Sequence, residues 1–101
     1  MNVAVRRYSS DPIIFNTLKD RLEDDFVPKL KQISGFIAYY AIKTGPDTLC
    51  TVSVFETEAG ERESTQLSGE FVAHNYAAIK TERLSVDEGV CIVQHRAPAA
   101  V

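Results

Sequence analysis

The chain has no tryptophan, a single methionine and only two cysteines among its 101 residues. It also lacks any apolar run near the roughly 18 residues that would mark a membrane-crossing helix, so no membrane partner is expected. The opening stretch MNVAVRRYSS has no apolar signal core, which leads us to expect a cytoplasmic protein. No basic stripe with interleaved aromatics is present, and the 11 basic residues are outnumbered by 14 acidic ones, so nucleic acid is not an expected partner. Cys50 and Cys91 stand alone inside apolar runs, without metal-type spacing. That points to two buried free thiols and no metal site. Glycine-rich phosphate loops and the Ser, Cys or carboxylate nucleophile motifs of hydrolases are missing as well.

What is present is a chain of globular composition, 45% hydrophobic and 25% charged, with the length of one domain. Residues 1–101 are therefore read as a single domain, with a loose tail from about residue 97. NVAVRRY, from Asn2 to Tyr8, has the β-branched and aromatic character of a strand. Asp11 then supplies a helix cap and Pro12 suits the first helical turn. Phe15, Leu18, Leu22 and Phe26 repeat at helical spacing. Pro28 removes one intrahelical bond, so a kink is expected there. Leu30 and Ile33 extend the stripe, and Gly35 ends the helix where a positive φ is needed.

GFIAYYAIKTG makes the second strand, TGPD the turn, and TLCTVSVFE, from Thr48 to Glu56, the third strand. Thr57 caps a second helix that is predicted to run to about Lys80, with Glu58 and Glu61 near its positive end. A looser segment from Thr81 to Glu88 leads to an expected last strand, GVCIVQHR. The order β-α-β-β-α-β predicts an α+β, ferredoxin-like fold: a four-stranded antiparallel sheet with both helices on one face.

The second strand has no polar side: Phe36, Ala38, Tyr40 and Ile42 alternate with Ile37, Tyr39 and Ala41. The third and the expected fourth strand behave alike. Four such strands leave an open apolar sheet face of roughly 400 Å², more than a monomer ordinarily leaves wet. The expected cover is a second copy packed sheet to sheet, as a homodimer.

The stretches FVPKLKQISGFIAYYAI and TVSVFETEAG are similar to the corresponding segments of the antibiotic-biosynthesis-monooxygenase-like (ABM) family, and with the order of elements the chain resembles that family's dimeric α+β barrels over nearly its whole length. The resemblance implies a cavity between sheet and helices. It also implies one of several activities: cofactor-independent oxygenation or isomerisation of a small aromatic or quinone, non-catalytic binding of a small apolar ligand, or haem binding. Haem-degrading relatives use a His and a Trp on the second helix and an Asn on the first strand. Here the Trp is absent, and Arg6 or Arg7 stands where the Asn would be.

The candidate site residues follow. On a helical wheel with Leu67 at 0°, Phe71 falls at about 40°, Ala78 at about 20°, His74 at about 340° and Asn75 at about 80°. That phase puts His74 on the sheet-facing stripe as the candidate catalytic base, or as a haem ligand in the lesser alternative. Phe71 and Asn75 are placed beside a bound substrate. Arg6 is assigned to the cavity side of the first strand with Ala4 and Tyr8, where a guanidinium could hold a phenolate. Tyr8 and Tyr40, with Tyr39 as the other choice, supply phenols. His95 is expected at the rim. No cofactor is required by the leading readings.

Overall fold

The computed structural model describes residues 1–98; most of the tail expected from about residue 97 lies outside them. β1 (Asn2–Ser10) is followed by a 3-10 turn over Pro12–Ile14. Its Asp11 cap accepts a hydrogen bond from the Ile13 N–H at 3.0 Å. α1 (Phe15–Arg21) passes through a π-helical turn, Leu22–Phe26, into α2 (Val27–Lys31). The Val27 N–H reaches the Leu22 carbonyl across that turn. The axis change expected at Pro28 therefore falls just before it, where one widened turn delivers Pro28 to the start of α2. There its missing N–H costs no helical bond.

Gly35, at φ +84°, turns the chain into β2 (Phe36–Lys43), a conformation favourable only to glycine. β3 (Thr48–Phe55) returns alongside it, and α3 (Glu58–Ile79) crosses the sheet under a Thr57 cap that accepts from the Gly60 N–H at 3.2 Å. The sheet is antiparallel in the order β2-β3-β1-β4, with all the helices on one face, as the order of elements predicts. Between sheet and helices Phe26 meets Tyr39 and Phe71, each at 5.4 Å between ring centroids, over Leu18, Leu30, Phe55 and Ile79.

The last strand differs from expectation. β4 is Thr81–Val90, the segment expected to be loose, and GVCIVQHR is not a strand beyond Val90. The reason is a ladder with β1 that starts as soon as α3 ends. Ser10 pairs with Thr81, their hydroxyls 2.8 Å apart, and the register runs to Asn2 opposite Val90. β4 is an edge strand, and its Glu82, Arg83, Asp87 and Glu88 are the charges that such edges carry. Beyond it, Cys91 donates its N–H to the Met1 carbonyl at 2.9 Å, and Ile92 and Val93 are exposed.

This corrects the sheet face too. Ser85 and Asp87 carry most of β4's side of the open face, with Leu84 exposed at the bulge, so the apolar surface lies mainly on β1–β3, in Val3, Val5, Cys50, Val52, Val54, Ala38, Tyr40 and Ile42, with Arg7 on the same face. Cys50 and Cys91 are both free, with β1 lying between β3 and β4, but only Cys50 is buried; Cys91, expected inside a strand, lies past the end of β4 and is half-buried.

Gly60 is where α3 touches down. A Cβ there would sit 2.8 Å from the Ser34 carbonyl oxygen and 2.9 Å from Phe55 Cδ1. In an open helix Gly→Ala would stabilise by about 1 kcal/mol. Here the clash outweighs that gain, and Gly60→Ala is expected to lose about 1–3 kcal/mol in chemical unfolding. A variant as stable as the parent would mean that the helix is seated less tightly.

Candidate functional site

Arg6 projects from the middle of β1 toward α3 and is fully buried. Its Nη1 donates to the Thr65 hydroxyl at 3.0 Å and to the Ser64 hydroxyl at 3.3 Å, and its Nη2 donates to Ser53 on β3. Two residues along the strand, the Tyr8 hydroxyl is hydrogen-bonded to Ser68. Thus Glu61, Ser64, Thr65 and Ser68, spaced i, i+3, i+4, i+7, form the stripe of α3 that faces the sheet. A buried guanidinium needs acceptors, and these hydroxyls supply them to its two terminal nitrogens. Its Nε and the Glu61 Oε2 are both buried without a partner.

That stripe explains where His74 lies. The wheel centred on Leu67 counts apolar residues only, whereas the face turned to the sheet is centred nearer Ser64, Ser68 and Phe71. His74 is consequently exposed, and the expectation that it enters the cavity is overturned. It lines an outer groove of about 450 Å³ between the first helical arm and α3, among Arg21, Asp25, Lys29 and Glu70. Asn75 belongs there as well. It accepts from Arg21 Nη1 at 2.8 Å and donates to the Phe71 carbonyl at 2.9 Å, tying α1 to α3. An open groove walled by charged side chains does not fit haem around His74. Among the described residues no cluster of three or more His, Cys, Asp or Glu is placed to hold a metal.

Tyr40 is the third displaced residue. The β2–β3 register shifts between Phe36 and Ala38, so Phe36 and Tyr39 both face the helices, and Tyr40 turns outward, 58% exposed. Arg6, Tyr8 and Phe71 lie on the expected side of the sheet, and Tyr39 takes the place given to Tyr40. His95 follows β4 and is exposed.

The cavity that the structure does form lies between the first helical arm and the β2 edge. It is an open cleft of about 640 Å³ with Leu18, Leu22, Val27, Tyr39, Ala41 and Leu49 on its walls. Lys19, Lys31, Lys43 and Glu23 stand around it. At its inner end Leu18, Leu22, Tyr39 and Leu49 are shared with a void of about 10 Å³, room for about one water, where Tyr8, Thr51, Ser68 and Phe71 meet. Burial pushes the Tyr39 phenol far above its ordinary pKa of 10.0, and the neighbouring Tyr8 adds to the rise. Arg6 and the Thr51 hydroxyl oppose it, the latter standing close without closing a standard hydrogen bond. Tyr39 is therefore a neutral hydrogen-bond donor at any physiological pH, not a base. Arg6 stays behind the cleft and holds the α3 stripe to the sheet. Sequence reasoning missed Thr51, Ser68 and the three lysines. The serine stripe on α3 was the legible signal, since polar residues at helical spacing opposite an arginine on a central strand mark a shared buried face.

Many solved structures share this architecture. A protein of unknown function from Nitrosomonas europaea is 22% identical, with 98% of this chain and 95% of that chain covered at a TM-score of 0.73. A dimeric ferredoxin-like protein from an uncultured marine organism is 11% identical, with 96% and 100% covered at 0.71. SnoaB, a cofactor-independent oxygenase from Streptomyces nogalater, is 12% identical, with 97% of each chain covered at 0.59. Chains provisionally assigned as antibiotic biosynthesis monooxygenases, from Chloroflexus aurantiacus and Deinococcus radiodurans, align at 0.67 and 0.73. The chain has the ferredoxin-like α+β fold of these structures. No family model and no curated protein matches it. At these identities the likeness carries the fold to this chain and leaves its chemistry to its own residues.

Glu61 gives the site a pH signature. Burial, then the charge of the neighbouring Glu88, push its carboxyl from 4.5 up to about 7, against the pull of Arg6 and Arg62. An acid whose pKa is raised on folding stabilises the fold below its unfolded pKa, and that contribution is lost as pH rises through the folded value. Relative to Glu61→Gln, the parent protein is therefore expected to lose stability between about pH 4.5 and about pH 7 and to level off above. Unfolding titrations of both proteins across that range check this; parallel curves would contradict it.

Proposed function

We propose that the protein is a homodimer that binds a small apolar, ring-containing molecule in the cleft between its first helical arm and β2. The observation that carries this reading is the cleft itself. A volume of about 640 Å³ with a mainly aliphatic and aromatic wall, ending on a neutral phenol, matches the size and lining of small-molecule sites. Tyr39 can donate to a carbonyl or phenolate oxygen at the inner end. The one carboxylate of the lining, Glu23, is exposed to water, and the group at the inner end is a neutral phenol, which favours binding over base-catalysed isomerisation.

The fold shared with a cofactor-independent oxygenase supports a second reading, in which the bound ring is itself the electron donor. There a ring methylene would take up O2, one oxygen atom becoming a carbonyl and the other leaving as water. Tyr39 would stabilise charge that develops on the ring oxygen. Oxygen uptake with a tricyclic anthrone, above its spontaneous rate and reduced in Tyr39→Phe, would favour this reading over binding alone.

The dimer reading rests on the open sheet face. Tyr40 and Ile42 are 58% and 47% exposed beside Val52 and Val54, and the apolar surface over three strands is roughly 300 Å². Light scattering is expected to give about twice 11.2 kDa, and Tyr40→Asp to weaken the association. A monomer at micromolar concentration would contradict the dimer.

Ligand binding has its own check. The chain has no tryptophan, so naphthalene fluorescence can be read without overlap from an indole. Naphthalene-2-carboxamide is expected to bind the parent protein. Ala41→Phe, which fills the cleft from β2 without adding an indole, is expected to weaken that binding at least tenfold. Equal binding by both proteins would place the probe elsewhere.

A further inference from the structure

The charges around the cleft run against those of the chain. Overall there are 14 acidic and 11 basic residues, for a net charge of -3. Around the cleft stand three lysines, Lys19, Lys31 and Lys43, and one acid, Glu23. The lysines come from three separate elements, α1, α2 and β2.

Lys19 and Lys31 lie in the last turns of their helices, where a cation is favoured by the helix dipole alone. Lys43 has no such reason. It ends a strand, on the helix-facing side of the sheet, and its ammonium lies 4.7 Å from the centroid of the Phe15 ring, itself a wall of the cleft. The contact holds a positive charge against an apolar surface, at the place where an anionic end of an otherwise apolar molecule would emerge. Acidic side chains are abundant nearby, in Glu23, Asp24 and Asp25, yet only Glu23 is turned to this space.

We infer that the cleft selects ligands bearing a carboxylate: aromatic or alicyclic acids whose rings lie against Leu18, Leu22, Tyr39 and Leu49 and whose anionic end meets Lys43 and Lys19 beside Phe15, with Lys31, near the other end of β2, adding to the long-range field. This rests on the binding reading above and adds the ligand's charge to it. The lysines are exposed, so the attraction is long-ranged and screened by salt rather than a buried ion pair.

The test compares two probes of one shape, naphthalene-2-carboxylate and naphthalene-2-carboxamide, by fluorescence titration of the full chain. The carboxylate is expected to bind about tenfold tighter at low ionic strength, with the ratio approaching one in 1 M salt. Lys43→Gln is expected to lower the ratio several-fold, and the Lys19→Gln, Lys31→Gln, Lys43→Gln triple variant to bring it near one. Because the ratio is read within each protein, a general loss of folding or of cleft shape does not mimic the result. If both probes bind the parent equally, or if the ratio is unchanged in the triple variant, the charge inference is overturned while the binding reading stands. If neither probe binds, or Ala41→Phe leaves both unaffected, the binding reading fails and this inference fails with it.

Discussion

The structure turns on a positive charge in its interior. Arg6 sits at the centre of β1, fully buried, and no carboxylate forms an ion pair with it among the described residues. An unpaired guanidinium in a low-dielectric interior is costly, and only dense hydrogen bonding makes it tolerable. Ser53, Ser64 and Thr65 provide that bonding, so the third strand and the second long helix must both bring small hydroxyl residues to one place. Once Ser64 and Thr65 face Arg6, the rotational phase of α3 is set over its 22 residues. Ser68 then meets Tyr8, and Phe71 meets Phe26. His74 is carried to the outside by the same rotation.

The consequence for function is a division of the space between sheet and helices. The half under α3 is closed by the Arg6 cluster and has no room for a ligand. The half under the first helical arm stays open, because the π turn and the start of α2 at Pro28 bend that arm along the β2 edge instead of across the sheet. Tyr39 stands on the boundary. Its phenol shares a small void with Tyr8 and Ser68 on one side and closes the cleft on the other. A ligand in the cleft would thus touch the polar cluster through one hydroxyl, held neutral by burial.

Much of this fold was legible in the chain. The Asp11 and Thr57 caps, the positive φ at Gly35 and the TGPD turn are local features whose chemistry acts within a few residues, and the structure bears each of them out. Features that depend on tertiary partners were read wrongly. β4 gains its pairing from β1 and carries edge charges that hide it from a search for apolar runs, while the apolar CIV after Val90 drew the assignment away. A register shift in β2 exchanged Tyr39 for Tyr40, which strict alternation cannot foresee. The phase of α3 was misjudged because hydrophobicity was taken as the mark of burial, whereas its sheet-facing stripe is largely serine and threonine. Arg6 itself was assigned to the correct face, and from that assignment the serine stripe could have been deduced.

The most direct test of Arg6 as the organising group is a double-mutant cycle between Arg6→Met and Ser64→Ala, followed by chemical unfolding. With Arg6 present, Ser64→Ala removes an acceptor from a buried charge and should cost about 1.5–3 kcal/mol. In the Arg6→Met background the hydroxyl has nothing to solvate, and the same substitution should cost little or even stabilise the helix through alanine's propensity. A coupling of about 1 kcal/mol or more is the predicted result. Additive effects, with Ser64→Ala costing the same in both backgrounds, would show that the serine stripe is packed for some other reason and that Arg6 does not set the phase of α3.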